Sequence, residues 1–346
     1  MRKLRDQQRR RDYPTDFTVT SRRKHVAVTD YDVAIVGAGP AGLSAALMLG
    51  RCRRRVVVID NGAPRNRVAR ATHGFLSRDG IAPSEFLRLG HAELAGYPTV
   101  ELRAGTVLTA EGSRGAFIVC CADGYECTAR RLLLATGVVD ELPQIAGLAV
   151  FYGHTVHHCP FCDAYEYADR PLAQYGRGRS GVDAALVLRA WSDDVILVTD
   201  GKALGRRERT RCERHGVAFR EEPIRRFVGR GRKLARIVFT SGPDLPRDAL
   251  FFATSQEQRS ALAKSLGCDF NAAGSVATQE HEMTNVPGVY VVGDASRREQ
   301  KLVIAAAEGA EAAIKIHESL WREDLRRPTR SRASAGTQIT KTTGSM

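Results

Sequence analysis

At 346 residues, with 43% hydrophobic, 26% charged and 7% aromatic residues, the chain has the composition of a globular protein of about two domains; collagen-like, coiled-coil and largely disordered architectures are excluded. No apolar run approaches the roughly 18 residues of a membrane-spanning helix, and the basic N-terminus MRKLRDQQRRRDYPTDF is followed by no apolar stretch of an export signal, so no membrane contact and a cytoplasmic location are expected. The net charge of +13 sits mostly at the ends: residues 1–30 carry nine Lys/Arg against four Asp/Glu and residues 321–346 six against two, leaving +4 for residues 31–320 and little reason to expect a nucleic-acid partner.

Both ends lack apolar periodicity, and the second is rich in Ser, Thr and Gly, so residues 1–30 and 321–346 are expected to be solvated, disordered tails. The first organised stretch is YDVAIVGAGPAGLSAALMLGRCRRRVVVIDNG. Val33, Ile35 and Val36 predict a buried strand, Gly37 to Gly42 a turn, Leu43 to Leu49 a helix, and Val56 to Ile59 a second strand ending at Asp60. Gly37, Gly39 and Gly42 form G-x-G-x-x-G. Gly37 permits the tight turn, Gly39 lets backbone approach a pyrophosphate, and Gly42 allows close helix packing. The helix N-terminus then presents free N–H groups to phosphate. Asp60 lies 18 residues after Gly42, where an acid takes ribose hydroxyls. A strand, a helix, a second strand and a terminal acid together point to a bound dinucleotide.

Further along, RRLLLATG predicts a strand over Leu132 to Ala135 running into Thr136-Gly137. HHCPFCDAYEY follows, with Cys159 and Cys162 three apart. Such pairs have lowered thiol pKa values and exchange disulfides readily. Zinc is the rival reading, but Cys120, Cys121 and Cys127 supply no clean second ligand pair, so redox chemistry is favoured over metal binding. The other cysteines, including Cys52, Cys212 and Cys268, are expected to be ordinary reduced thiols.

A second β-α-β unit begins 139 residues after the first, with Gly176, Gly178 and Gly181, a helix through Leu188, and a strand Val195 to Thr199 ending at Asp200. Arg177 and Arg179 put bulk where such turns are bare, although guanidinium groups also hold phosphate. Nicotinamide binding and a structural unit without ligand are both compatible with this stretch. Finally, TNVPGVYVVGDAS predicts a strand Val289 to Val292 ending in Gly293-Asp294, placed to bond sugar hydroxyls, before an Ala-rich helix. The fold class is thus α/β, with two Rossmann-like domains: a first over 31–150 and 249–320, split by a second over 151–248.

GAGPAG, LLLATG, C-x-x-C followed by Asp163, and VYVVGDA, in this order over residues 31 to 320, resemble the low-molecular-weight thioredoxin reductases and related pyridine-nucleotide-disulfide flavoproteins. The resemblance implies FAD held around Gly37, Gly39, Pro40, Ala41, Gly42, Asp60, Thr136, Gly137, Gly293 and Asp294. It also implies NAD(P)H held around Gly176, Gly178, Gly181 and Asp200, Cys162 beside the isoalloxazine, Cys159 exposed to a disulfide substrate, Asp163 as acid/base, and a homodimer. The substrate would be a thioredoxin-like protein or a small molecule.

Two departures stand out. Thr199-Asp200-Gly201 replaces the His-Arg-Arg run that holds the 2′-phosphate of NADPH in that family, so NADH is favoured, with Arg206 and Arg207 as a counterweight and NADPH or no nicotinamide as alternatives. His158 before Cys159 is more similar to the dithiol oxidases of the gliotoxin and holomycin type. An oxygen-coupled dithiol oxidase with His158 as its base is therefore the alternative function.

Overall fold

The computed structural model describes residues 29–297 and 299–326; the expected tails, apart from the parts noted below, lie outside the described residues. The central strand Thr29–Val36 lies between Val56–Asp60 and Glu126–Leu134, parallel to both, and Val100–Ala104 extends the sheet beyond Val56–Asp60. The last three residues of Glu126–Leu134 pair with Val289–Val291, also in parallel, while its first half pairs with the antiparallel hairpin Val107–Ser113/Ala116–Cys121.

The near-continuous apolar runs VAIV and VVVI follow from burial on both faces of a parallel sheet. Val33, Ile35, Val56, Val58 and Leu133 pack under the helices Pro40–Arg51 and Leu302–Arg326. Ala34, Val36, Val57, Ile59 and Leu132 turn to the other face, against Phe117, Leu262 and Cys268. The two helices touch backbone to side: a Cβ at Gly309 would lie 2.0 Å from Ala41 O.

The second sheet is wholly parallel, in the order Ala218–Arg220, Val195–Val198, Leu172–Tyr175, Ala249–Phe252, Val156–His157. Helices Gly178–Leu188 and Arg206–Arg214 cover one face, and the antiparallel strands Ile224–Arg230, Lys233–Phe239 and Leu245–Pro246 cover the other. The expected boundary at 249 is therefore corrected. Ala249–Phe252 is apolar at all four positions and fully covered on both faces, so it is stable only as an interior strand of this sheet. The chain passes between the sheets instead through the antiparallel pair Val138–Glu141/Ser255–Gln258.

Two ends also move. The first helix starts at Pro40 rather than Leu43, with Gly39 as N-cap, because proline at the first helical position needs no hydrogen-bond partner for a missing N–H. The last helix runs to Arg326, six residues into the expected tail, where Glu323 pairs with the buried Arg131 and Asp324 with Arg54 and Arg130. At the other end, Thr29 and Asp30 belong to the first strand.

Candidate functional site

Four turns collect at the carboxyl ends of neighbouring parallel strands, where open α/β sheets bind ligands. The first is Gly37 to Gly42. Gly37 has φ +104°, and a Cβ there would lie 2.4 Å from Ala135 O, because the Leu-Leu-Leu-Ala-Thr-Gly segment passes directly beside it. A Cβ at Gly42 would lie 1.9 Å from Gly37 O, whereas one at Gly39 would meet nothing within 4 Å. Gly37 and Gly42 are thus required by the protein's own packing, and Gly39 faces open space ahead of a helix N-terminus. That open cradle fits a pyrophosphate.

Asp60 lies beside it, its Oδ1 accepting from Ala38 N at 2.9 Å and its Oδ2 from Gly62 N at 2.8 Å. Gly137, at φ +65°, likewise opens onto empty space next to Thr136. Gly293 donates its N–H to the buried Glu308 carboxylate at 2.7 Å, and Asp294 Oδ2 accepts from Arg65 Nη1 at 2.8 Å. Pro40 and Ala41 form the first turn of the helix, with Ala41 packed toward Gly293.

Cys159 and Cys162 are joined as a disulfide, with Cα atoms 5.3 Å apart across the single helical turn Pro160–Asp163. Both cysteines are half-buried. Phe161 and Tyr165 beside them stand exposed. The other six cysteines are unpaired, four of them buried. Among the described residues the side chain that donates to the sulfurs is Lys301, with Nζ 2.7 Å from Cys159 Sγ and 3.2 Å from Cys162 Sγ. Burial lowers the pKa of this lysine, with Asp163 and Asp294 acting against the shift and Arg65 with it.

His158, expected as a free base, has both ring nitrogens engaged. Arg65 Nη2 lies 3.3 Å from Nε2, and Tyr152 Oη lies 2.9 Å from Nδ1. Tyr152 donates to Asp140 Oδ2 at 3.1 Å, and Asp140 receives both Nε and Nη2 of Arg65, at 2.8 and 2.5 Å. One assignment of protons satisfies the whole ring: Arg65 donates to Nε2, and Nδ1–H donates to the tyrosine oxygen. Burial holds His158 below its ordinary pKa, so the imidazole is neutral, and its lone pair is occupied. His158 is thus tied by both ring nitrogens to residues of the two domains.

Asp163, expected as acid/base, pairs through Oδ1 with Nδ1 of the buried His157 at 3.2 Å, and His157 Nε2 lies 3.1 Å from His154 O.

In the second glycine turn, a Cβ at Gly176 would lie 2.7 Å from Gly181 Cα, so both are packing requirements; Gly178, at φ +54°, opens to solvent. Asp200 already has partners for its carboxylate within the fold. Its φ is +51°, and its carboxylate turns back to accept from Ile224 N at 2.8 Å and from Arg177 Nη2 at 3.0 Å. Tyr175 Oη lies 3.4 Å from the same oxygen as Arg177. Arg206 and Arg207, at the start of their helix, are exposed.

Lys301 and Arg65 were not singled out from sequence. Arg65 follows the Asp60 turn and Lys301 the Gly293-Asp294 turn, but nothing local marks a partner 142 or 75 residues away.

A C-x-x-C disulfide in a chain with two dinucleotide-type glycine turns defines a class, the disulfide-exchanging nucleotide-dependent oxidoreductases. The family profile described as pyridine nucleotide-disulphide oxidoreductase matches residues 31–310, and the chain belongs to that family. It is a thioredoxin reductase-like enzyme, and membership implies FAD and a nicotinamide nucleotide as cofactors. The crystal structure of HlmI is similar to it with a TM-score of 0.81 and 38% identity, covering 86% of this chain and 94% of that one. A putative thioredoxin reductase TrxB from Bacillus anthracis gives a TM-score of 0.81 and 33% identity over 85% and 99%. Thioredoxin reductase tcpT from Claviceps purpurea is 30% identical over 275 residues, 76% of this chain and 86% of that protein.

Proposed function

We propose that the protein is an FAD-dependent thiol–disulfide oxidoreductase in which Cys159 and Cys162 exchange electrons with a disulfide or dithiol substrate, a thioredoxin-like protein or a small molecule. The observation that carries this reading is the Cys159–Cys162 disulfide at the junction of the two sheets, facing an ammonium from the first. FAD, when bound, supplies the two-electron exchange with a nicotinamide nucleotide.

The chain's own residues supply position. Gly37, Gly39, Gly42 and the helix starting at Pro40 would receive the pyrophosphate, Asp60 the ribose, and Thr136, Gly137, Gly293 and Asp294 the remaining edge. Gly176, Gly178, Gly181 and Asp200 would receive the nicotinamide nucleotide. Asp200 is already paired with Arg177, so its repulsion of a 2′-phosphate is partly offset and the preference for NADH is small.

A second reading, the oxygen-coupled dithiol oxidase, is favoured by the same pairing, because a carboxylate closed by Arg177 suits a turn that no longer binds coenzyme. In either reading the six unpaired cysteines support a reducing, cytoplasmic location. Ile314, Trp321 and Leu325, exposed along the last helix, support a homodimer.

Anaerobic titration of the FAD-loaded protein with NADH, NADPH and a small dithiol, followed at the flavin absorbance, decides between the readings. Reduction by a nicotinamide supports the reductase. Reduction by the dithiol alone, reversed by air, supports the oxidase, and reduction by none of the three contradicts both.

A further inference from the structure

Lys301 takes no part in the turns assigned to cofactors or in the ring around His158. It precedes the helix Leu302–Arg326 of the first domain, yet its Nζ reaches across to both sulfurs of the inserted one, nearer to Cys159. The lysine is half-buried, with the Phe161 ring centroid 5.4 Å from Nζ, and among the described residues it makes no ion pair. The charged groups that act on it are Asp163 from the dithiol turn, Asp294 from the strand end, and Arg65 from the loop after the second strand.

A disulfide sulfur is a weak acceptor, whereas a thiolate is a full anion. A partly desolvated ammonium without a carboxylate partner therefore gains most when the disulfide opens, which is differential stabilisation of one redox state.

We propose that Lys301 is a catalytic residue that holds the Cys159 sulfur as a thiolate in the reduced pair; this role rests on the reading of Cys159 and Cys162 as redox-active. When a dithiol donor reduces the pair, a donor thiolate attacks Cys162, the Cys159–Cys162 bond breaks, and its electron pair leaves on Cys159 beside Lys301. The donor's second thiol, losing its proton, then displaces Cys162, so the donor becomes a disulfide. Cys162 takes up one proton as a thiol, Cys159 remains a thiolate, and the other proton of the donor goes to solvent. In the reverse direction Cys162, losing its proton, attacks the substrate disulfide, and the Cys159 thiolate then attacks Cys162 in that mixed disulfide, closing the Cys159–Cys162 bond and releasing the second substrate sulfur as a thiolate.

The test uses the FAD-loaded protein, reduced with dithiothreitol, and compares it with Lys301→Met and Lys301→Arg. The pH dependence of Cys159 alkylation is read by peptide mass, and the position of the disulfide equilibrium is read in dithiothreitol redox buffers. The wild type should titrate below the ordinary thiol value of about 8.5. Lys301→Met should slow alkylation at pH 6.5 by about tenfold and shift the equilibrium about tenfold toward the disulfide, or about 30 mV. Lys301→Arg should retain most of both effects.

An unchanged profile and equilibrium in Lys301→Met would overturn the role. So would a wild-type thiol titrating at or above about 8.5, a result that needs no variant to fold. A pair that dithiothreitol cannot reduce in the wild type would sink the redox reading and this role together, whereas a reducible pair indifferent to Lys301 would sink only the role.

Discussion

Arg177 lies across Asp200, its Nη2 3.0 Å from Oδ2, so the acid expected to choose the coenzyme is already part of an ion pair. The pair is 48% and 20% exposed, and one of this kind contributes about 0–1 kcal/mol. Arg177→Ala should therefore free the Asp200 charge and raise the NADH-to-NADPH ratio of kcat/KM by up to about fivefold. Asp200→Arg should move the ratio toward NADPH. A ratio unchanged in both variants would show that this carboxylate does not face the nucleotide.

The three glycines of the first turn should fail in different ways. A side chain at Gly39 meets no protein atom within 4 Å, so Gly39→Val should leave the Tm of the FAD-free protein within a degree or two while abolishing FAD retention. At Gly42 the added Cβ would lie 1.9 Å from a backbone oxygen, so Gly42→Ala should lower stability itself, by about 1–3 kcal/mol. Calorimetry of the FAD-free variants separates the two. Normal FAD content in Gly39→Val would contradict the cradle.

The Arg65–His158–Tyr152–Asp140 ring predicts an acid weakness. The pKa of His158 is depressed by burial, so the folded protein binds fewer protons than the unfolded chain once pH falls below the unfolded value of about 6.5. Stability should be complete above that pH and decline below it, by at most about 1.4 kcal/mol per unit, until the folded pKa is passed. Asp140 stays ionised through this window because, although burial raises its pKa, the Arg65 guanidinium holds it below its ordinary value. His158→Gln should lower the Tm overall but flatten its slope between pH 7 and 5. Equal slopes in both proteins would remove His158 as the cause.

The parts of the site that lie close along the chain were legible in the sequence. Each glycine turn, its flanking strands and its terminal acid lie within about 30 residues and follow from local geometry. The two cysteines are three positions apart. What could not be read is what closes the site from a distance. Lys301 reaches Cys159 across 142 residues, and Arg65 reaches Asp294 across 229. The reading of His158 as a base comes from the similarity of His158-Cys159 to dithiol oxidases, and its partners Arg65, Tyr152 and, through the tyrosine, Asp140 lie at a distance that nothing local marks. The domain boundary was misplaced for a related reason: ALFF reads equally well as the first strand of one domain or the last of another, and the partners of Ala249–Phe252 decide it.

The redox role of Cys159 and Cys162 is tested most directly by differential alkylation of the wild-type protein before and after one equivalent of dithiol, without oxygen, with peptide masses assigning each label. The account predicts that Cys159 and Cys162 resist labelling before reduction, become labelled together afterwards, and return to the protected state on reoxidation, while Cys52, Cys120, Cys121, Cys127, Cys212 and Cys268 do not change. Labelling of Cys159 and Cys162 before any reduction, or their failure to respond to the dithiol, would contradict it.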